Sequence, residues 1–321
     1  MNCFAFFCFS QNFINQIDFS FEIKNGFTHE KFGEYLFSSA DSNQKVSYLE
    51  WEADALYSLG IEGNLCWKNF ELNGGFEALF PSFGAYMTDS DWAGDLQTNY
   101  AEFANWANKN YFWNVGLSYL IDLQKGVYFA PLVFFEHRFD SFLGTNGYGY
   151  YGNSSYSKNG ENVAWNSEYA RAAKCSDISY ERQGDYIFAG FSLGAKFKKF
   201  DIESSFFVSP FSCVKTRDYH SDLSGNGQDY TMYALFTDFF SVLGAKAKFE
   251  WKCNSLSALN LKLNFYYSPL LKGSLFSNYW YKHTSASYGI LSRESEYSLL
   301  NQKSGTKLFV FEVSCGFKKK F

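Results

Sequence analysis

From Gln16 to the C-terminus the chain keeps returning to a period-two alternation, and no apolar run in it approaches the roughly 18 residues that a membrane helix needs. Ile17, Phe19, Phe21 and Ile23 fall on one face of such a stretch, with Asp18, Ser20, Glu22 and Lys24 on the other. At the far end Phe309, Phe311, Val313, Cys315, Phe317 and the terminal Phe321 share one parity, and Glu312, Ser314, Lys318 and Lys320 the other. Each stretch is a strand with one apolar and one polar face, and composition decides what covers the apolar one. Aromatic residues make up 22% of the chain, yet its mean hydropathy is slightly negative. A soluble core would have to bury 38 Phe, 24 Tyr and 8 Trp within 321 residues, which is extreme. A transmembrane barrel turns the apolar face to lipid, places aromatic girdles at both interfaces and lines its lumen with the polar face. The expected fold is therefore all-β, a ten-stranded antiparallel transmembrane β-barrel.

The strands are expected from Gln16 onward and at about 45–66, 70–80, 111–122, 127–142, 179–197, 200–216, 230–250, 257–272 and 306–321. In the third, Phe70, Leu72, Phe76, Ala78 and Phe80 point outward, and Glu71, Asn73, Gly75 and Glu77 point inward. Connections alternate in length. Lys68-Asn69, Asp122–Gly126, Lys198-Lys199 and Cys253–Ser257 read as short periplasmic turns; 81–110, 143–178, 217–229 and 273–305 read as long external loops. The stretch Phe4–Phe9 resembles the apolar part of a secretion signal without a preceding Lys or Arg, so 1–10 is read as a truncated or atypical signal and 11–321 as one barrel domain in the outer membrane.

A net charge of −5 disfavours nucleic acid as a partner, because neutralising phosphates takes clustered Lys and Arg. Seven cysteines, with no CxxC and no histidine at ligand spacing, indicate neither a disulfide framework nor a metal site.

Two short clusters carry the chemistry. Asp89 and Asp91 lie two apart and share the inward parity of Glu71 and Glu77, so both carboxylates enter the lumen mouth, where their repulsion raises one pKa. Asp218 and His220 are spaced the same way, and a carboxylate beside a histidine prepares a general base. Counting from Asp201, Glu203 and Ser205 turns Asp218 and His220 outward unless one extra residue intervenes; Pro210 marks a bulge that would restore the inward aim. His29, His137 and His283 have the weaker case.

In this order the clusters resemble those of the omptin family of outer-membrane endopeptidases. The resemblance rests on Phe83–Trp92, ending Met87-Thr88-Asp89-Ser90-Asp91-Trp92, on Tyr180 to His220, on Leu49-Glu50-Trp51, on Asn99-Tyr100-Ala101 and on the terminal strand. It implies a metal-free, cofactor-free endopeptidase in which a water between Asp89 and His220 attacks the peptide carbonyl. Asp218 would orient His220, and Asp91 would support Asp89. It also implies a monomer acting on peptide or protein substrates, with the site outside the cell. Omptins hold a basic residue with two acids; here Glu30 takes the first position, but Thr216 stands at the second, so the basic preference is expected to be altered. The loop after Trp92 is also shorter than the family's. Phe134, Glu136 and Arg138 resemble an outward-facing lipopolysaccharide site, making outer-membrane lipid a candidate partner and activator. The alternatives are a non-catalytic barrel, an adhesin or small porin that keeps the clusters as a polar rim, and metal binding by the Asp/His cluster.

Overall fold

The computed structural model describes residues 17–81, 84–220, 228–281 and 298–321; the expected signal segment lies outside them. Fifteen strand segments follow in order: β1 (Ile17–Phe37), β2 (Lys45–Trp67), β3 (Phe70–Phe80), β4 (Ala85–Ala93), β5 (Leu96–Ala107), β6 (Asn110–Tyr119), β7 (Ile121–Gln124), β8 (Val127–Tyr151), β9 (Arg171–Lys174), β10 (Ile178–Lys196), β11 (Phe200–His220), β12 (Gln228–Asp238), β13 (Leu243–Lys252), β14 (Ser257–Tyr281) and β15 (Ser298–Lys320). Short breaks separate β3 from β4, β5 from β6 and β7, and β12 from β13, so these groups form single staves; β9 pairs only with the end of β8, outside the ring, and the ring has ten staves. Every pairing is antiparallel, and β1 pairs with both β2 and β15, which closes the ring.

The four connections expected to be long loops are in part strand; 152–170 stays irregular, and 221–227 and 282–297 lie outside the described residues. β4 and β5 fill most of 81–110, β8 runs on to Tyr151, β11 reaches His220, and β14 continues to Tyr281. Beyond the lipid band the outward face no longer has to be apolar, so the alternation fades from the sequence while backbone pairing continues.

The band itself is plain on the outer surface. On β1 the exposed apolar side chains run from Phe19 to Phe27, on β2 from Tyr57 to Leu65, and on β11 from Phe200 to Phe211. Eight residue steps cover roughly 26 Å of a tilted strand, close to the apolar band of about 25 Å seen on such barrels. Past it the outward residues become His29 and Lys31 on β1 and Asp54, Glu52 and Glu50 on β2.

Inside, the polar parity forms buried ion pairs. Lys24 contacts Glu77 and Glu312, Lys262 lies 2.9 Å from Glu22 and 2.8 Å from Glu62, and Lys318 lies 3.1 Å from Glu250. Of these, Lys24, Glu62, Glu250, Lys262 and Lys318 line a cavity of about 630 Å³ at the short-turn end. Above it, aromatic rings close the lumen: Phe134 and Phe188 at 4.6 Å, Phe207 and Tyr266 at 5.6 Å, then Phe32 and Phe142 at 5.4 Å and the stacked Trp51–Tyr180 pair at 5.5 Å. These eight rings come from six strands and are almost fully buried, so they pack as a plug across the barrel.

The plug also takes in Phe134, Glu136 and Arg138, which correct an expectation. All three face the interior, with Glu136 and Arg138 each 2% exposed, while Val133, Phe135 and His137 carry the outward parity. Glu136 accepts a hydrogen bond from Tyr266, and Arg138 pairs with Glu30 and Asp140. The parity follows from Tyr128 and Ala130, which already point inward at the start of β8. Side chains on that face cannot reach lipid.

Candidate active site

The first acidic pair sits on β4, whose hairpin with β5 closes in a two-residue turn at Gly94-Asp95, Gly94 taking the left-handed φ of +64° that such a turn requires. Asp91 lies opposite Asn99 and Trp92 opposite Gln97, so a bulge precedes the turn. Asn99 faces inward beside Asp91 and donates to its Oδ2 at 2.9 Å. Asp89 is half-buried, with its Oδ1 enclosed. Asp89 and Asp91 share the parity of Met87, which is fully buried, so both stand on the inward face of β4.

The second pair depends on the bulge in β11. Ile187 of β10 opposes Phe211, but Ala189 opposes Val208, so the stretch around Pro210 holds one residue more than its partner. Inward parity passes from Ser205 and Phe207 to Thr216, Asp218 and His220 as a result. Asp218 is fully buried, and its Oδ2 lies 2.5 Å from His220 Nε2. Hydrogen bonding through Nε2 leaves the imidazole orientation set by a carboxylate.

A third acid reaches this level, and it is Glu34 rather than Glu30. Glu34, Leu49 and Asp89 are register neighbours across β1, β2 and β4, which sets Glu34 and Asp89 two strand spacings apart, about 10 Å between backbones. Glu34 stands seven residues past Phe27 and Asp218 seven past Phe211, so both rise roughly 23 Å along their strands beyond the lipid band. Burial first, and then the fields of Asp218 and Asp89, hold the Glu34 carboxyl well above the usual range. Burial likewise raises Asp89, followed by Asp91 and Asp218. Each group is thus felt by carboxylates on the facing wall. Asp89 Oδ1, Glu34 Oε2 and Asp218 Oδ1 are enclosed without a hydrogen-bond partner among the described residues.

Glu30, four residues lower, is 0% exposed and committed to Arg138, with Asn110 donating to its Oε2 at 3.3 Å. Its charge is spent inside the plug and is not offered to the mouth. Thr216 is also enclosed, opposite Arg182 and Ala234. Tyr151 and Cys175 were not foreseen; the Tyr151 hydroxyl lies 2.9 Å from Cys175 Sγ, and burial, Cys175, Asp89 and Asp91 together raise its pKa. Four buried apolar side chains surround these groups: Tyr180 lies opposite Asp218 and Ile178 opposite His220, while Trp51 and Met87 pair one inward step below Leu49 and Asp89.

The raised Asp89 carboxyl predicts a pH signature. Its charge is disfavoured in the folded barrel, so its contribution to stability is full below the ordinary carboxylate pKa of about 4 and is lost as pH rises through the elevated value. Asp89→Asn is therefore expected to unfold a few degrees above wild type at neutral pH, with the two thermal midpoints converging towards pH 4. Parallel curves at all pH values would mean that the folded barrel does not penalise this charge.

Compared by sequence, the chain matches no protein family model and no curated protein. Compared by structure, it superposes on the outer-membrane protease OmpT of Escherichia coli at a TM-score of 0.77 and 15% identity, over 95% of this chain and 97% of that one. The outer membrane protein OprG of Pseudomonas aeruginosa (TM-score 0.33, 11% identity, 94% and 95% covered) and the translocator domain of the autotransporter NalP of Neisseria meningitidis (0.31, 10%, 93% and 88%) are far weaker and carry no argument. The chain has the fold of an outer-membrane β-barrel.

Proposed function

We propose that this barrel is an outer-membrane endopeptidase whose active site faces the exterior and activates water between Asp89 and His220. The observation that carries the reading is the convergence, at one level beyond the lipid band, of Asp89 and Asp91 from one wall and the Asp218–His220 pair from staves nearly opposite. His220 takes the proton of the attacking water, Asp218 fixes the imidazole and stabilises it when charged, and Asp89 with Asp91 holds the water from the other side. Hydrolysis in this scheme needs no acyl-enzyme and no metal. The OmpT-like fold is in keeping with it. A small porin is the weaker alternative, because the aromatic plug leaves the described lumen closed beneath the site.

Substrate preference follows from charge. Glu34 brings one acid to the mouth, and Thr216 stands enclosed where a second would be. A single acid favours Arg or Lys before the scissile bond, but less strictly than two. Refolded protein given a peptide library is expected to cleave after basic residues with incomplete discrimination, and to do so in the presence of a chelator. Glu34→Gln is expected to erase about 1–3 kcal/mol of that preference, while Glu30→Gln leaves it in place. No cleavage of any peptide would remove the enzymatic reading; an unchanged profile in Glu34→Gln would remove only the assignment of the pocket.

A further inference from the structure

A second cluster stands on the outer wall, where the proposed hydrolysis makes no use of it. Thr28 of β1 lies opposite Leu56 of β2, but Glu30 lies opposite Ala53, so His29 faces two residues, Asp54 and Ala55. This bulge turns Asp54 outward beside the imidazole. Asp54 Oδ1 is 3.7 Å from His29 Nδ1, and Glu52 Oε1 is 3.9 Å from Nε2. One donor atom from each of the three residues lies within 4.8 Å of the other two.

The surroundings hold these donors in place. Lys31 and Tyr86 both bind the other oxygen of Glu52, Oε2, at 3.0 and 2.6 Å, which leaves Oε1 turned towards His29. The imidazole packs edge-on against Phe309 at 5.7 Å. Asp54 remains exposed, so the cluster is open to solvent. It begins two residues past Phe27, at the edge of the lipid band and on the outward face.

We propose that His29, Glu52 and Asp54 form a binding site for a divalent transition metal of the zinc type. One imidazole with two carboxylates suits zinc and its neighbours, whereas calcium and magnesium prefer oxygen donors alone. Donors each about 2.0–2.2 Å from one ion lie roughly 3.4 Å apart in tetrahedral geometry, so donors within 4.8 Å of one another close on the ion by side-chain movements of up to about an ångström, within reach of the exposed Asp54. One imidazole nitrogen binds, the carboxylate beside the other nitrogen is drawn in, and water takes the remaining position. Lys31 opposes the ion's charge and, with the exposure of Asp54, keeps the affinity modest. The ion would clamp β1 to β2 where the bulge interrupts their ladder. Ligand spacing in the sequence conceals this site, since the bulge is what brings position 29 beside positions 52 and 54.

The test is titration of refolded full-length protein in detergent with Co²⁺, then Zn²⁺, for wild type, His29→Ala and Asp54→Asn. Both substitutions are at the surface, and heat-dependent gel mobility checks that each barrel is folded. Wild type is expected to bind one Co²⁺ with a nitrogen–oxygen spectrum lacking thiolate charge transfer, to release it to Zn²⁺ but not to Ca²⁺, and to bind at least about tenfold more tightly than either variant. Zn²⁺ should raise the unfolding midpoint of wild type and not that of His29→Ala. Equal affinity in all three proteins, or a spectrum due to thiolates alone, overturns the site. Neither readout depends on peptide cleavage.

Discussion

His220→Gln is expected to lower kcat for peptide cleavage by about 10²–10⁴-fold while the barrel stays folded. Glutamine is the informative replacement because Asp218 is fully buried. His220→Ala would leave that carboxylate enclosed without its neighbour and confound a lost base with a damaged rim; glutamine retains a donor for Asp218 Oδ2 but cannot accept a proton at neutral pH. The expected loss is in kcat, because in the proposed mechanism His220 acts on the water and not on the bound peptide. Asp218→Asn should give a loss of the same kind, since the amide can hold the ring but not stabilise the imidazolium that forms. Steady-state kinetics on one fluorogenic peptide distinguishes these cases. Activity within a few-fold of wild type in His220→Gln would eliminate His220 as the base.

Much of the fold was legible because strand alternation is local. The inward set of β3, the outward set at the end of β15 and the number of staves follow from period-two counting. Even the inward aim of Asp218 and His220 was legible, because proline within a strand implies a bulge, and the register slips around Pro210. What was not legible depends on height along the barrel. Glu30 and Glu34 share a parity, so counting faces cannot choose between them; only the edge of the lipid band puts Glu30 inside the plug and Glu34 at the mouth. The family resemblance points Phe134, Glu136 and Arg138 outward, whereas parity carried forward from Tyr128 and Ala130 turns them inward. The bulge in β2 carries no proline or glycine, so nothing in the sequence announced that Asp54 meets His29.

Stability should be most sensitive at Arg138. Its Nη2 pairs with Glu30 Oε1, its Nε lies 3.3 Å from Asp140 Oδ1, and none of the three side chains is more than 3% exposed. Arg182, also buried, lies over the Phe32 ring at 5.4 Å and lends its field to Asp140. Two arginines thus balance two acids at the height where the aromatic plug closes the lumen. Arg138→Met keeps most of the apolar bulk but leaves Glu30 and Asp140 sharing one cation, an uncompensated buried charge of the kind that costs about 3–5 kcal/mol. Combining it with Glu30→Gln restores neutrality, with Asp140 left to Arg182, and should recover most of the loss. A double-mutant cycle followed by tryptophan fluorescence during urea unfolding in micelles is expected to show a coupling of at least about 1 kcal/mol. Additive effects would mean that Glu30 is stabilised by other groups. Because Glu30 and Glu34 are four residues apart on the same face of β1, the coupling also bears on the pocket: a carboxylate committed to the plug cannot serve substrate, and specificity then rests on Glu34 alone.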